Sequence, residues 1–169
     1  MGLNIAALAI SVVALLLSSV IAYGQLRSTQ KANALAMVFD GFREGRSPEF
    51  RKSMEYVLYH LKEEFPGPIS YLELPEAPKE CVRRVAFFFE ELGKLVVHGV
   101  VDQDLIIGSY GLSMHRAWVV VAPYVYRERE IRQRVVLPYF EHMAAVTSEI
   151  TAADVHRKMK LRIYPPTSR

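Results

Sequence analysis

The chain has 169 residues, 51% of them hydrophobic and 23% charged, which suits a single folded domain with an appendage and excludes a disordered chain. One cysteine, Cys81, excludes an intrachain disulfide framework and a multi-cysteine metal cage. The formal charge of +3 is a local excess, because five of the 21 Lys and Arg fall between positions 157 and 169, where there is no acid, leaving sixteen against 18 acids elsewhere; a globally basic nucleic-acid binder is thereby excluded.

No charged side chain occurs from Met1 to Leu26. Within that stretch, the run Leu3 to Tyr23 is interrupted only by Asn4, Ser11, Ser18 and Ser19 among polar residues. As a helix it spans about 31 Å, matching a hydrocarbon core of about 30 Å. A cleaved signal peptide would carry a basic start and a shorter apolar core. The run is therefore expected to be a retained single-pass anchor in the cell inner membrane. Arg27 and Lys31 follow it, and no acid comes before Asp40, so the C-terminal domain is expected in the cytoplasm. Ala7, Ser11, Ala14, Ser18 and Ala22 form one stripe of small residues on this helix. Small residues let helix backbones approach closely, so the stripe is the expected transmembrane contact with a homo-oligomer or a partner helix.

The remainder predicts an all-α fold: an anchor over 1–26, a juxtamembrane helical stalk over 27–46, a four-to-five-helix bundle over 47–152 and a basic tail over 153–169. Ser47-Pro48-Glu49 is a helix start, with a capping hydroxyl, a proline at the first helical position and an acid in the first turn. That helix should end near Phe65. Prolines crowd the stretch 66–78, where Tyr71, Leu72 and Leu74 suggest a loop lying against the bundle. Lys79 to His98 reads as a central helix, apolar around more than half its circumference, with Gly99 at its C-terminal end. Asp102 should cap a short helix, Gln103 to Ser109, ended by Gly111. A further helix is expected from Leu112 to Arg132, kinked or divided by Pro123, and a last one from Leu137 to Ile150. The tail after Asp154 is expected to be mobile.

Several short motifs follow one another along the chain. They are the uncharged span followed by Gln25-Leu26-Arg27, then Ser47-Pro48-Glu49-Phe50-Arg51, Phe88-Phe89-Glu90 with Leu92-Gly93, Gly99-Val100-Val101-Asp102, Tyr110-Gly111, Trp118 and Tyr139-Phe140-Glu141. In this order they resemble the bacterial domain of unknown function 4760 family, over most of the chain. The resemblance implies a membrane-anchored helical domain and transfers no catalytic residue.

The residues themselves give no catalytic constellation. The five histidines, His60, His98, His115, His142 and His156, form no close metal-ligand pair, and no phosphate or dinucleotide glycine motif occurs. No metal and no cofactor are expected. Glu90 and Glu91 interrupt the apolar central helix, and a buried carboxylate needs a counter-charge; Arg83, Arg84 and Arg116 are the candidates. Two readings follow: a structural ion pair, or a ligand-binding pocket around Glu90, Glu91 and Arg116. Arg157, Lys158, Lys160 and Arg162 are the candidate contacts with an anionic membrane surface. The chain reads as a membrane-anchored interaction or regulatory module, with a tethered enzyme or ligand sensor as the alternative. The expected partners are the lipid bilayer and another protein, and no specific nucleic acid.

Overall fold

The structure is a computed structural model that describes residues 14–15, 17–19, 21–23, 25, 41–67 and 69–162. The chain divides into two units, Met1–Phe39 and Asp40–Arg169. In the first, residues 14–15, 17–19, 21–23 and 25 are helical and exposed. Ser19 returns its hydroxyl to the Leu15 carbonyl at 2.8 Å, one turn back along its own helix.

The second unit is all-helical among its described residues, with no strand. Residues 41–45 are helical, and the ring of Phe42 stacks on Tyr110 at 5.7 Å. Six helices follow: α1 Pro48–Tyr59, α2 Leu61–Glu64, α3 Glu76–Val97, α4 Gln103–Arg132, α5 Pro138–Glu149 and α6 Ala152–Lys158. The Ser47 hydroxyl accepts the Phe50 N–H at 3.0 Å, with Pro48 behind it, as the sequence reading of this helix start requires. Helix α3 packs on α1, α4 and α5, and α4 packs on α1, α3, α5 and α6. The prolonged connection between α2 and α3 lies against the bundle with Ser70, Tyr71 and Leu74 buried.

Aromatic rings run through the core. Phe50 meets Phe88 at 4.4 Å, Phe88 meets Phe89 at 5.1 Å, Phe89 meets Phe140 at 5.2 Å and Phe140 meets Trp118 at 5.0 Å. The spacing of Phe88, Phe89 and Leu92 on α3 sets these rings toward neighbours, and Val82, Val85 and Phe89 are completely enclosed.

The described structure departs from the expected elements at four places. Gly111 does not end a helix; α4 runs uninterrupted from Gln103 to Arg132. Gly111 is buried inside the bundle, where a Cβ would lie 3.2 Å from the Ile107 side chain of its own helix and at an ordinary contact distance of 3.5 Å from Thr147. Of the two outcomes expected at Pro123, a kink or a division, the division does not occur; the residue is on the exposed side of the helix. The folded domain also extends beyond the expected 47–152 at both ends. At its start, Gly41 packs near Leu92. At its end, the basic tail begins as α6, because Thr151 and Asp154 form a reciprocal capping box and Val155 is buried.

Helix α4 is long and apolar enough to cross a membrane by length and composition. Eleven of its residues are buried in the bundle, including the charged Glu128, which identifies a core helix.

The ring stack should carry much of the stability. Trp118→Ala and Phe140→Ala are each expected to cost about 3–5 kcal/mol in denaturant unfolding, whereas Phe87→Ala, on the exposed side of α3, should cost under about 1 kcal/mol.

Candidate functional site

The two glutamates in the central helix separate by one helical step. Glu91 is exposed and pairs with Lys94 at 2.6 Å, one turn on. Glu90 is buried, and its Oε2 accepts the backbone N–H of Phe140 at 2.9 Å. Phe140 lies in the first turn of α5, where N–H groups have no partner within the helix. The residue before that helix, Leu137, is in the left-handed region at φ 55° and offers no capping side chain. Glu90 therefore caps α5 from another helix, and its charge faces the positive end of the α5 dipole. One turn along α3, a Cβ at Gly93 would lie 2.7 Å from the Tyr139 carbonyl oxygen. Only glycine admits the α5 start this near to α3.

The expected arginine partner is thus replaced by a backbone donor. Arg116 is elsewhere: it is exposed, donates to the Tyr59 hydroxyl at 3.4 Å and lies over the Tyr59 ring at 5.9 Å. Glu90, Glu91 and Arg116 face three different partners. Of the other expected counter-charges, Arg84 pairs with Glu44 at 3.8 Å and Arg83 with Glu80 at 3.9 Å.

A second buried carboxylate, one the sequence analysis does not single out, is Glu128 on α4. It stands in register with Trp118, Val121 and Val125, at steps of three, four and three, and that spacing is the signal that places it inward. Its Oε2 accepts the buried Ser70 hydroxyl, and its Oε1 pairs with Arg132. The Ser70 hydroxyl in turn accepts the Leu72 N–H at 3.1 Å, and the Ser70 N–H donates to Glu73 at 3.0 Å. The proline-rich connection is pinned to α4 through this serine. Burial, with the Glu128 charge next in importance, pushes the neighbouring Tyr71 hydroxyl above its ordinary range.

Arg129, the next residue along α4, organises the turn into α5. It pairs with Glu141 at 2.7 Å, donates twice to the Val136 carbonyl at 2.9 and 2.6 Å, and lies over the Tyr126 ring at 5.3 Å. The Tyr126 hydroxyl donates to the same Glu141 at 2.8 Å. The turn between α4 and α5 needs this support, since Gln133 and Leu137 both have positive φ.

Two hollows open on the outer side of α4. One, of about 300 Å³, is lined by Leu58, His115, Arg116, Val119 and Val120. The other, of about 400 Å³, is lined by Phe42, Gly45, Arg46, Leu105, Ser109 and Tyr110. Among the described residues, no group of three or more His, Cys, Asp or Glu could hold a metal ion.

The basic residues of the tail divide. Lys158 pairs with Asp104 at 2.5 Å, which raises its ammonium above the ordinary range. Arg157 pairs with Asp154 at 3.2 Å, within α6. Lys160 and Arg162 are exposed. Of the small-residue stripe, Ala14, Ser18 and Ala22 are helical and exposed, and Ala7 and Ser11 lie outside the described residues.

Two sets of variants test these assignments. Glu90→Ala strands the buried Phe140 N–H and should cost about 1–3 kcal/mol in unfolding, while Glu91→Ala should stay within about 0.5 kcal/mol. For the loop, Ser70→Ala should raise the rate of limited proteolysis between positions 66 and 75 while leaving cleavage after residue 152 unchanged.

Comparison with known proteins supplies one match: the family model described as "Domain of unknown function (DUF4760)" covers residues 4–147. No curated protein and no solved structure matches the chain.

Proposed function

The chain belongs to the family of the domain of unknown function DUF4760, and from that premise we propose that it is a membrane-anchored helical module, held at the inner membrane by residues 1–26. In this reading its domain faces the cytoplasm and acts by contact with another protein. The observation that carries the anchor is the exposure of its apolar side chains. Leu15, Leu17, Ile21 and Tyr23 are 68%, 57%, 57% and 66% exposed on helical residues, within a run that has no charge. Burying such surface is favourable by roughly 25 cal/mol per Å², and a hydrocarbon core about 30 Å thick offers that burial along the whole run. Arg27 and Lys31 on the C-terminal side support the orientation.

The small-residue stripe of Ala7, Ser11, Ala14, Ser18 and Ala22 belongs to the same proposal as the contact between anchors. Lys160 and Arg162 support a contact with anionic lipid, since each exposed cation near such a surface contributes about 1 kcal/mol. A ligand pocket around Glu90, Glu91 and Arg116 has no comparable support, because those three groups face different partners.

Fractionation tests the anchor. The full chain should stay in the membrane pellet through a carbonate wash, and a reporter fused after Arg169 should be active in the cytoplasm. Release of intact chain into the supernatant overturns the anchor; a periplasmic reporter reverses the orientation.

A further inference from the structure

The larger hollow, of about 400 Å³, lies between the 41–45 helix and α4 and is furnished for an anion. Its lining of Phe42, Gly45, Arg46, Leu105, Ser109 and Tyr110 brings one guanidinium, two hydroxyls and no carboxylate. A guanidinium only donates, and a hydroxyl can donate. Among the described residues, none of these three side chains is taken up by an internal hydrogen bond or ion pair. The acids around the hollow are engaged elsewhere: Glu44 pairs with Arg84 at 3.8 Å, Asp104 with Lys158 at 2.5 Å, and Asp102 accepts the Leu105 N–H at 3.2 Å. Glu49 sits in the first turn of α1 and makes no ion pair with Arg46.

The donors are set in place by packing. The Tyr110 ring is held between Phe42 at 5.7 Å and Phe88 at 5.5 Å. A Cβ at Gly45 would lie 2.6 Å from the Tyr110 hydroxyl oxygen, so the glycine leaves the room in which that hydroxyl lies. Burial pushes the hydroxyl above its ordinary range, and the Arg46 charge works against the rise. The guanidinium is therefore near the hydroxyl, and the tyrosine keeps its proton, and with it a donor, at neutral pH. Ser109 is the preceding residue of α4, exposed like Arg46.

The walls say more about the ligand. Phe42 and Leu105 are apolar, and the volume is in the range of small-molecule sites, which begins at about 300 Å³. That is more room than a bare oxyanion fills, so a fitting ligand carries an organic remainder beside its charge. Phosphate suits the donors better than carboxylate does. Its tetrahedral oxygens can be reached from several sides at once, whereas a carboxylate keeps two oxygens in one plane, and arginine meets phosphate with paired N–H groups.

We propose that this hollow binds a phosphate ester, with Arg46, Ser109 and Tyr110 on the phosphate and Phe42 and Leu105 against the organic remainder. Small soluble phosphate esters and phospholipid headgroups share this chemistry. The site is built wholly from residues 42–110 and stands without the membrane anchor; only the lipid source depends on it.

The full chain in non-ionic detergent tests the site with two probes. Glycerol phosphate is followed by phosphorus NMR, and phosphatidylglycerol in the micelle is counted on the protein by native mass spectrometry. At least one of them should bind saturably at a single site. Arg46→Ala should weaken that binding about tenfold, and Ser109→Ala and Tyr110→Phe about threefold each. The thermal midpoints of Arg46→Ala and Ser109→Ala should not move, since both side chains are exposed. Arg127→Ala removes the same charge from an exposed site elsewhere on α4 and should leave binding unchanged. Tighter binding of glycerol phosphate supports the site with a soluble ligand, and tighter binding of phosphatidylglycerol supports it with a lipid. Saturable binding of neither probe overturns the proposal. So does an equal loss in Arg46→Ala and Arg127→Ala, which would show diffuse attraction to charge. A chain that fractionates as soluble yet binds glycerol phosphate through Arg46 would overturn the anchor and leave this site standing.

Discussion

The bundle depends on how the N-terminus of α5 is seated against α3. That end of α5 is poorly provided for by its own sequence. Pro138 has no N–H, Leu137 has no polar side chain, and the chain reaches them through two residues with positive φ. Glu90 supplies the missing acceptor and Gly93 the missing space, one turn apart on the same helix. Once α5 is held there, Phe140 falls between Phe89 and Trp118, and the three rings tie α3, α4 and α5 together. A charge buried without a partner is costly. Here the positive end of a helix and a directed N–H offset that cost, and the result is a fixed entry point for α5.

Glu128 follows the same logic at the other irregular segment. Each buried carboxylate holds a stretch of chain that cannot satisfy itself: Glu90 the start of α5, and Glu128, through Ser70, the loop between α2 and α3. Because that loop is rich in proline, it has few N–H groups to donate and no ladder to join. Side-chain acceptors and hydroxyls therefore carry its attachment. Tyr124 adds to it by donating to the Phe65 carbonyl at 2.7 Å, just before the prolines.

Much of this fold is legible in the sequence, because apolar spacing on a helix reports which face is covered. The central place of α3 and the enclosure of Phe89 follow from it, while the start of α1 is marked by Ser47 and Pro48. What the sequence hides is of two kinds. One is a partner that is backbone: nothing local to Glu90 points to an N–H fifty residues away, so arginines were the natural expectation. The other is a local signal overruled by packing. Gly111 looks like a stop, but the helix runs on through it, enclosed among its neighbours in the bundle. The capping box of Thr151 and Asp154 is the opposite case, a readable signal at the start of α6 that the high charge of the tail obscured.

Hydropathy marks α4 as long and apolar enough to cross a membrane, and its packing explains that signal. Between Gln103 and Arg132 there are seven charged residues, and the apolar ones fall on two opposed faces. The inner face, with Ile106, Ile107, Met114, Trp118, Val121 and Val125, fills the core. The outer face is the narrow line from Leu105 to Tyr126, edged by Arg116 and Arg127. Averaged over a window, two apolar faces resemble one that is apolar all round. A lipid-facing helix has no reason to keep Glu128 buried against a serine, nor to confine its exposed leucines to every seventh position.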